Sequence, residues 1–255
     1  MFAGRVHEQD KQTVFLDIGT NGEMALGNRE GFVCCATAAG PAFEGAHIKY
    51  GVGGIAGAIS HIELLDEKIN VKTISDKPAV GICGSGLIDA VYILKEAGAM
   101  DETGRLSDEE VKPGFADRIF EDENGETCFL LDGEICITAQ DIRELQLAKA
   151  AIAAGIQTLM HHADVKNEDI GSLLVAGGFG SNINLSSACA IGLLPKELES
   201  RTNFIGNAAG TGAIEALLDL KKRKDLGEIA KMCRYIELSG DSFFQDEYIN
   251  QMMFE

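Results

Sequence analysis

Apolar and polar positions come in short blocks over the first forty residues and settle into a helical period only later in the chain. The apolar runs 13–18, 23–26 and 32–36 are short and largely β-branched, aromatic or small. They are separated by the glycine-bearing breaks 19–22 and 27–31, which predicts three strands joined as antiparallel hairpins. Gly40-Pro41-Ala42-Phe43-Glu44 reads as a helix start, because a first-turn proline lacks only an N–H the helix would not use. The glycine-rich stretch 51–57 then ends or interrupts that helix. Strands are expected at 71–74 and 80–83, and a helix over 87–97 stopped by Gly98.

Residues 101–126 are charged and poor in core residues, so they read as a surface excursion. Strands follow at 127–131 and 134–137 around the Asp132-Gly133 turn. Thr138 and Asp141 have capping-box spacing, and the helix they open carries Ile142, Leu145, Ile152, Ile156 and Leu159 on one stripe. A strand at 172–176, a helix at 208–220, a strand at 235–238 and an amphipathic helix at 241–254 complete the pattern. Lys221-Lys222-Arg223-Lys224 reads as the C-terminal turn of the 208–220 helix, where cations suit the dipole. Strands and helices alternate, so the fold class is α/β.

Composition narrows the function classes. The chain has 255 residues, 45% of them hydrophobic, enough for one large or two small domains. A net charge of −18 with no basic stripe argues against nucleic acid, whose binding draws on counterion release by clustered Lys and Arg. No apolar run approaches the roughly 20 residues of a membrane span. Residues 1–12 are polar and lack a signal-peptide core, which leads us to expect a cytoplasmic location. The seven cysteines form no C-x-x-C pair, so reduced core thiols are expected, with no iron–sulfur cluster built by this chain alone.

The chemistry sits where apolar runs meet glycine. Val14-Phe15-Leu16-Asp17-Ile18-Gly19-Thr20-Asn21-Gly22-Glu23 is a strand carrying a carboxylate straight into a glycine turn. A buried carboxylate is costly unless paired, hydrated Mg²⁺ is a common partner, and glycine amides approach phosphates closely. Similar junctions recur at Gly81-Ile82-Cys83-Gly84-Ser85-Gly86 and Leu174-Val175-Ala176-Gly177-Gly178-Phe179-Gly180-Ser181-Asn182, and a small-residue helix start at Gly206-Asn207-Ala208-Ala209-Gly210.

Other readings are weaker. No Gly-Lys dipeptide exists, which excludes a Walker loop, and Gly51-Val52-Gly53-Gly54-Ile55-Ala56 fits a dinucleotide fingerprint but lacks a clear strand before it. Ser85 misses the nucleophile-elbow pattern, and Cys83 has no evident histidine to activate it. His161-His162 suits a helix C-terminus better than a metal site with no further ligands.

The order of these parts resembles the superfamily of acetate and sugar kinases, heat-shock chaperones and actin, in which two ribonuclease-H-like subdomains close over ATP. More closely, 16–23, 37–46, 81–89, 145–152 and 176–180 resemble the C-terminal ATPase region of the reductive activators of corrinoid proteins, from about Thr13 onward. The resemblance implies a ribonuclease-H-like lobe over 13–255 after an N-terminal extension 1–12, with a mixed sheet, flanking helices and an inserted α+β segment around 61–135.

It implies ATP and Mg²⁺ as cofactors, with Asp17 ordering the metal through water. Gly19, Thr20, Asn21 and Gly22 would meet phosphates, and Glu44 the ribose. Gly177, Gly178 and Phe179 would form the adenosine turn, with Ser181 and Asn182 beside it. Asn207 and Gly210 would lie on the helix that crosses the subdomain contact, Asn207 also counting among the nucleotide residues. Gly84, Ser85 and Gly86 are further nucleotide candidates.

The implied activity is ATP hydrolysis coupled to reduction of a corrinoid protein, the implied partner, from Co(II) to Co(I). Only one acidic Asp-x-Gly-Thr turn is present, and it matches the second of the superfamily's two phosphate motifs. The first lobe and the iron–sulfur domain are therefore expected elsewhere, in a missing N-terminal half or a second copy. A non-catalytic nucleotide-binding or docking module, or a related ATPase activator or small-molecule kinase, are the alternatives.

Overall fold

The computed structural model describes residues 1–65, 68–178 and 182–254. Its framework is a six-stranded mixed sheet whose strands lie in the order Thr202–Gly206, Ile170–Ala176, Gln12–Ile18, Gly22–Asn28, Gly31–Thr37 and Cys233–Tyr235. The three strands β1 (Gln12–Ile18), β2 (Gly22–Asn28) and β3 (Gly31–Thr37) form the expected antiparallel meander. Residues 1–12 are tied to it, since Val6 is fully buried.

The glycine after Glu44 keeps the next element short. Pro41–Glu44 makes a single 3-10 turn where a longer helix was expected. Gly45 ends it at φ +82°, with the backbone of Val52 packed so closely that a side chain could not fit there.

Two small sheets follow. One joins β4 (Ala58–Leu65), β5 (Lys68–Thr73) and β6 (Gly81–Ile82). The strand expected at 80–83 shrinks to two residues because Cys83 is already the N-cap of α1 (Gly84–Glu96). The other sheet joins β7 (Ile119–Glu121), β8 (Thr127–Asp132) and β9 (Ile135–Thr138). The charged excursion before it is anchored by buried Leu106 and Phe115.

The long helix α2 (Ala139–Ala163) has the predicted capping box. Thr138 Oγ1 accepts from Asp141 N at 3.1 Å, and Asp141 Oδ2 accepts from Thr138 N at 2.9 Å. Asp141 Oδ1 also accepts from Lys49 N at 2.8 Å, tying the segment just before the glycine-rich stretch to the helix start.

β10 (Ile170–Ala176) returns parallel to β1, and β11 (Thr202–Gly206) pairs parallel beyond it, with the short helix α3 (Leu185–Ala190) between. α4 (Ala208–Leu218) and α5 (Leu220–Lys231) then pack as a pair, and β12 (Cys233–Tyr235) adds parallel to β3.

The basic cluster 221–224 lies in the first turn of α5, not at a helix C-terminus. Asp219 Oδ1 accepts from Lys221 N at 2.8 Å, and that cap starts a new helix where a single one was expected to end. The chain closes with α6 (Ser242–Asn250), shorter than the predicted helix 241–254. Its tail turns back into the core, where Phe254 is buried and Gln146 and Lys149 donate to the carbonyls of Met252 and Met253.

Strand alternation explains why the central strands look continuously apolar. Leu16, Met24, Val33 and Cys35 face the main core with α2, whereas Phe15, Ala25 and Phe32 face a second cluster holding Val6, Ala208 and Ile229. A sheet covered on both faces needs apolar residues at every position. Among the described residues no helix is long and apolar enough to cross a membrane.

Candidate functional site

Asp17 stands one residue from the end of β1, opposite Glu23 on β2 and Ala176 on β10. Burial pushes its carboxyl above the usual carboxylate range, and the neighbouring Glu23 charge pushes it further. Two carboxylates directly across an antiparallel pair repel each other, so this end of the sheet attracts a cation. Among the described residues no group of three or more His, Cys, Asp or Glu could hold a metal alone.

The turn after Asp17 divides its glycines between two jobs. Gly19 N donates to Asn21 O at 2.8 Å, closing the turn. A side chain on Gly22 would press on Met24, Thr37 and Ile152, so Gly22 lets β2 approach α2. Thr20 faces the next segment. Its hydroxyl donates to Glu44 Oε1 at 2.6 Å, and its carbonyl accepts from Gly40 N at 2.9 Å.

Glu44 opens onto a cleft of about 540 Å³, well within the range of small-molecule sites. Three stretches distant in sequence line it. Phe43, Glu44, Val52, Gly53 and Gly54 form one side, Cys83, Gly84 and Ser85 at the start of α1 another, and Gly178 and Asn182 beyond β10 the third. Ser60 and Ile74 complete the wall. Methyl groups built on Gly53 or Gly178 would meet no atom of the described residues within 4 Å, so bare backbone there faces space that a ligand can fill.

The N-terminus of α1 is fixed against β4 by several bonds. Ser85 Oγ donates to Ser60 O at 2.9 Å, and Cys83 N to Ile59 O at 3.1 Å. Asp89 Oδ2, deep in the helix, accepts from Ile62 N at 3.0 Å and meets His61 Nδ1 at 2.6 Å. Gly86 is buried against the Ile59 carbonyl, with no room for a side chain, so it packs the helix and does not line the cleft.

Gly177, at φ +104°, turns the chain at the end of β10, and a methyl there would lie 3.1 Å from Asp17 Oδ1. The acidic strand end and the third wall of the cleft are therefore neighbours. Of the sequence candidates, Glu44, Gly84, Ser85, Gly178 and Asn182 line the cleft. Gly19, Thr20, Asn21 and Gly177 lie on the turns beside it, with Asp17 at the end of β1 between them. Phe179 and Ser181 fall outside the described residues. Asn207 stands apart from the cleft lining, and its Oδ1 caps α4 by accepting from Gly210 N at 2.8 Å.

Sequence reasoning did not assign Phe43, Val52, Ser60 or Ile74 to a site. The signal available was the glycine run 51–57, which brings Gly53 and Gly54 to the cleft although the dinucleotide fingerprint there lacked its preceding strand.

Known proteins share this architecture and sequence. Residues 11–255 match the family model described as the C-terminal domain of RACo, the ASKHA domain. The corrinoid activation enzyme RamQ of Eubacterium limosum is 35% identical over 254 residues, covering 96% of this chain and 43% of RamQ. A Methanosarcina barkeri reductase of the Co(II) methylated amine-specific corrinoid protein is 26% identical over 270 residues, covering 96% of this chain and 46% of the reductase. The solved structure of a reductive activator for a corrinoid, iron–sulfur protein superposes with a TM-score of 0.89 at 40% identity, over 99% of this chain and 42% of that one. The chain thus spans less than half the length of each of these relatives.

Proposed function

We propose that this chain, which belongs to the family of the C-terminal ASKHA domain of RACo, is the nucleotide-holding lobe of an ATP-dependent activator that takes a corrinoid protein from Co(II) to Co(I). The observation that carries this reading is the cleft, where Glu44, Gly84, Ser85, Gly178 and Asn182 converge from separate elements. Its apolar wall of Phe43, Val52, Ile74 and Cys83 suits a flat base, while Glu44 offers a carboxylate to ribose hydroxyls. The phosphates then point toward Thr20, Asn21 and Asp17. Bound Mg·ATP supplies hydrolysis energy for a reduction that is uphill for ordinary donors. The chain's own residues supply positioning and charge: Asp17 orders the metal's water, and the turn amides hold the phosphates.

A second reading, in which the chain also works as a docking module, rests on α4. Ile214, Leu217 and Leu218 are exposed on that helix, with Leu217 at 83% and Leu218 at 82%. Exposed leucines next to one another on one helix face mark an interaction surface. Following the superfamily resemblance, we assign that face to the companion ATPase lobe.

The test is titration of ATP with and without Mg²⁺ against the chain and its Asp17→Asn variant. Magnesium-dependent binding that weakens in the variant supports the proposal. Equal binding by both, or by neither, removes it. ATP-sensitive complex formation with candidate corrinoid proteins tests the partner separately.

A further inference from the structure

We infer that the Thr20–Glu44 hydrogen bond makes the cleft discriminate between phosphorylated nucleotides and bare nucleosides. This rests on the nucleotide reading of the cleft and adds to it a selection rule set by two residues. The bond lies at the rim of the cleft: Thr20 sits on the turn beside it, at the end assigned to the phosphates, Glu44 on the wall assigned to the ribose, and Oγ1 to Oε1 is 2.6 Å. The two sides are not free to drift apart, because Gly40 N holds the Thr20 carbonyl at 2.9 Å and Gly45 locks the end of the Pro41–Glu44 turn. With the backbone held on both sides, the exchange takes place in the side chains.

A ribose that engages Glu44 must take the carboxylate from the Thr20 hydroxyl. If the ligand carries phosphates, the hydroxyl donates to a phosphate oxygen instead, and one bond to a charged acceptor replaces another. If the ligand is a nucleoside, the hydroxyl falls back on water and the bond is lost without a replacement within the site. Occupancy of the phosphate end therefore favours the ribose end, and the coupling is reciprocal. Both side chains are solvent-accessible, so water recovers part of the loss. The bond is then worth about 0.5 to 1.4 kcal/mol, or roughly two- to tenfold in affinity.

The test measures adenosine and ATP·Mg²⁺ affinities for the full chain, for Thr20→Val, which keeps the shape without the hydroxyl, and for Thr20→Ser, which keeps the hydroxyl. Thr20→Val should bind adenosine about two- to tenfold more tightly while losing affinity for ATP·Mg²⁺, so that the preference for ATP narrows. Thr20→Ser should keep the preference of the unaltered chain. An adenosine affinity that is unchanged or weaker in Thr20→Val overturns the selection rule and leaves the nucleotide site standing. An unaltered chain that binds neither ligand overturns the nucleotide reading and this inference with it.

Discussion

Asp17 and Glu23 face each other across β1 and β2, and among the described residues no basic side chain forms an ion pair with either; the Met1 amino group offsets the Asp17 charge only in part, so the arrangement costs stability unless a further cation relieves it. The sign of the pH effect follows from the direction of the shift. The folded state raises the Asp17 pKa, so it binds the proton more readily than the unfolded chain does. The contribution to stability is therefore present at low pH and is lost as pH rises through the interval between the unfolded and the folded value. At neutral pH the ionised carboxylate is a net cost. Asp17→Asn should raise the melting temperature at pH 7 by about 1–2 °C. The same substitution should weaken Mg²⁺-dependent ATP binding by about tenfold or more, as loss of an outer-sphere metal partner does. Calorimetric melts paired with metal-dependent titrations check both. In the unaltered chain the Mg²⁺-dependent part should fade as pH drops, at a midpoint above that of a free aspartate, about 3.9. A variant that lost stability together with binding would place Asp17 among purely structural residues.

At the scale of elements, glycines of similar appearance in the sequence separate into packing and lining roles. Gly86 and Gly178 both sit in small-residue junctions, yet a methyl on the first would be driven into the Ile59 carbonyl and a methyl on the second would meet no atom of the described residues. Gly86→Ala should destabilise the chain by about 1–2 kcal/mol in urea unfolding, since overpacking against β4 outweighs the gain in helix propensity. Gly178→Ala should leave the urea midpoint in place and lower nucleotide affinity several-fold. If the two variants behaved alike, the division would be wrong.

This distinction was not legible in the sequence, because spacing reports a glycine but not what lies across from it. The β1–β2–β3 meander and α2 were legible, since alternating runs, turn glycines and a capping box all agree there. β4 was missed because His61 and Glu63 break its apolar pattern, although the fold gives them partners in Asp89 and Lys72. α5 was missed because it is polar nearly all round, with only Ile229 buried, and its N-cap Asp219 directly follows α4. The site was half legible. The glycine junctions pointed to Gly84, Ser85, Gly178 and Asn182 and the family resemblance to Glu44, whereas nothing in the sequence assigned Phe43, Val52 or Ile74 to the cleft that the fold opens beside them.

For the whole molecule, the uneven cover of the central sheet matters most. One face carries α2 in a continuous core, while the other carries a smaller cluster under α4 and α5. Beyond that cluster the outer side of α4 stays bare, and Ile214, Leu217 and Leu218 are more exposed than leucine and isoleucine usually are in a helix packed on both sides. A chain with net charge −18 is well protected against general aggregation, so any association should go through this uncharged face. In the longer relatives more than half the length lies outside the matched region, ample for the companion lobe we place here. Without that lobe the face should pair weakly with itself at high protein concentration. Replacing Leu217 and Leu218 together by aspartate removes the apolar surface without touching the interior, so the melting temperature should change little, within about 0.5 kcal/mol of equivalent stability per site. Sedimentation velocity across a concentration series should then show the double variant staying monomeric where the unaltered chain associates. In a longer protein carrying both lobes, the same pair of aspartates should lower ATP turnover while leaving ATP binding to the isolated chain intact. Undiminished turnover there would show that the companion lobe docks elsewhere.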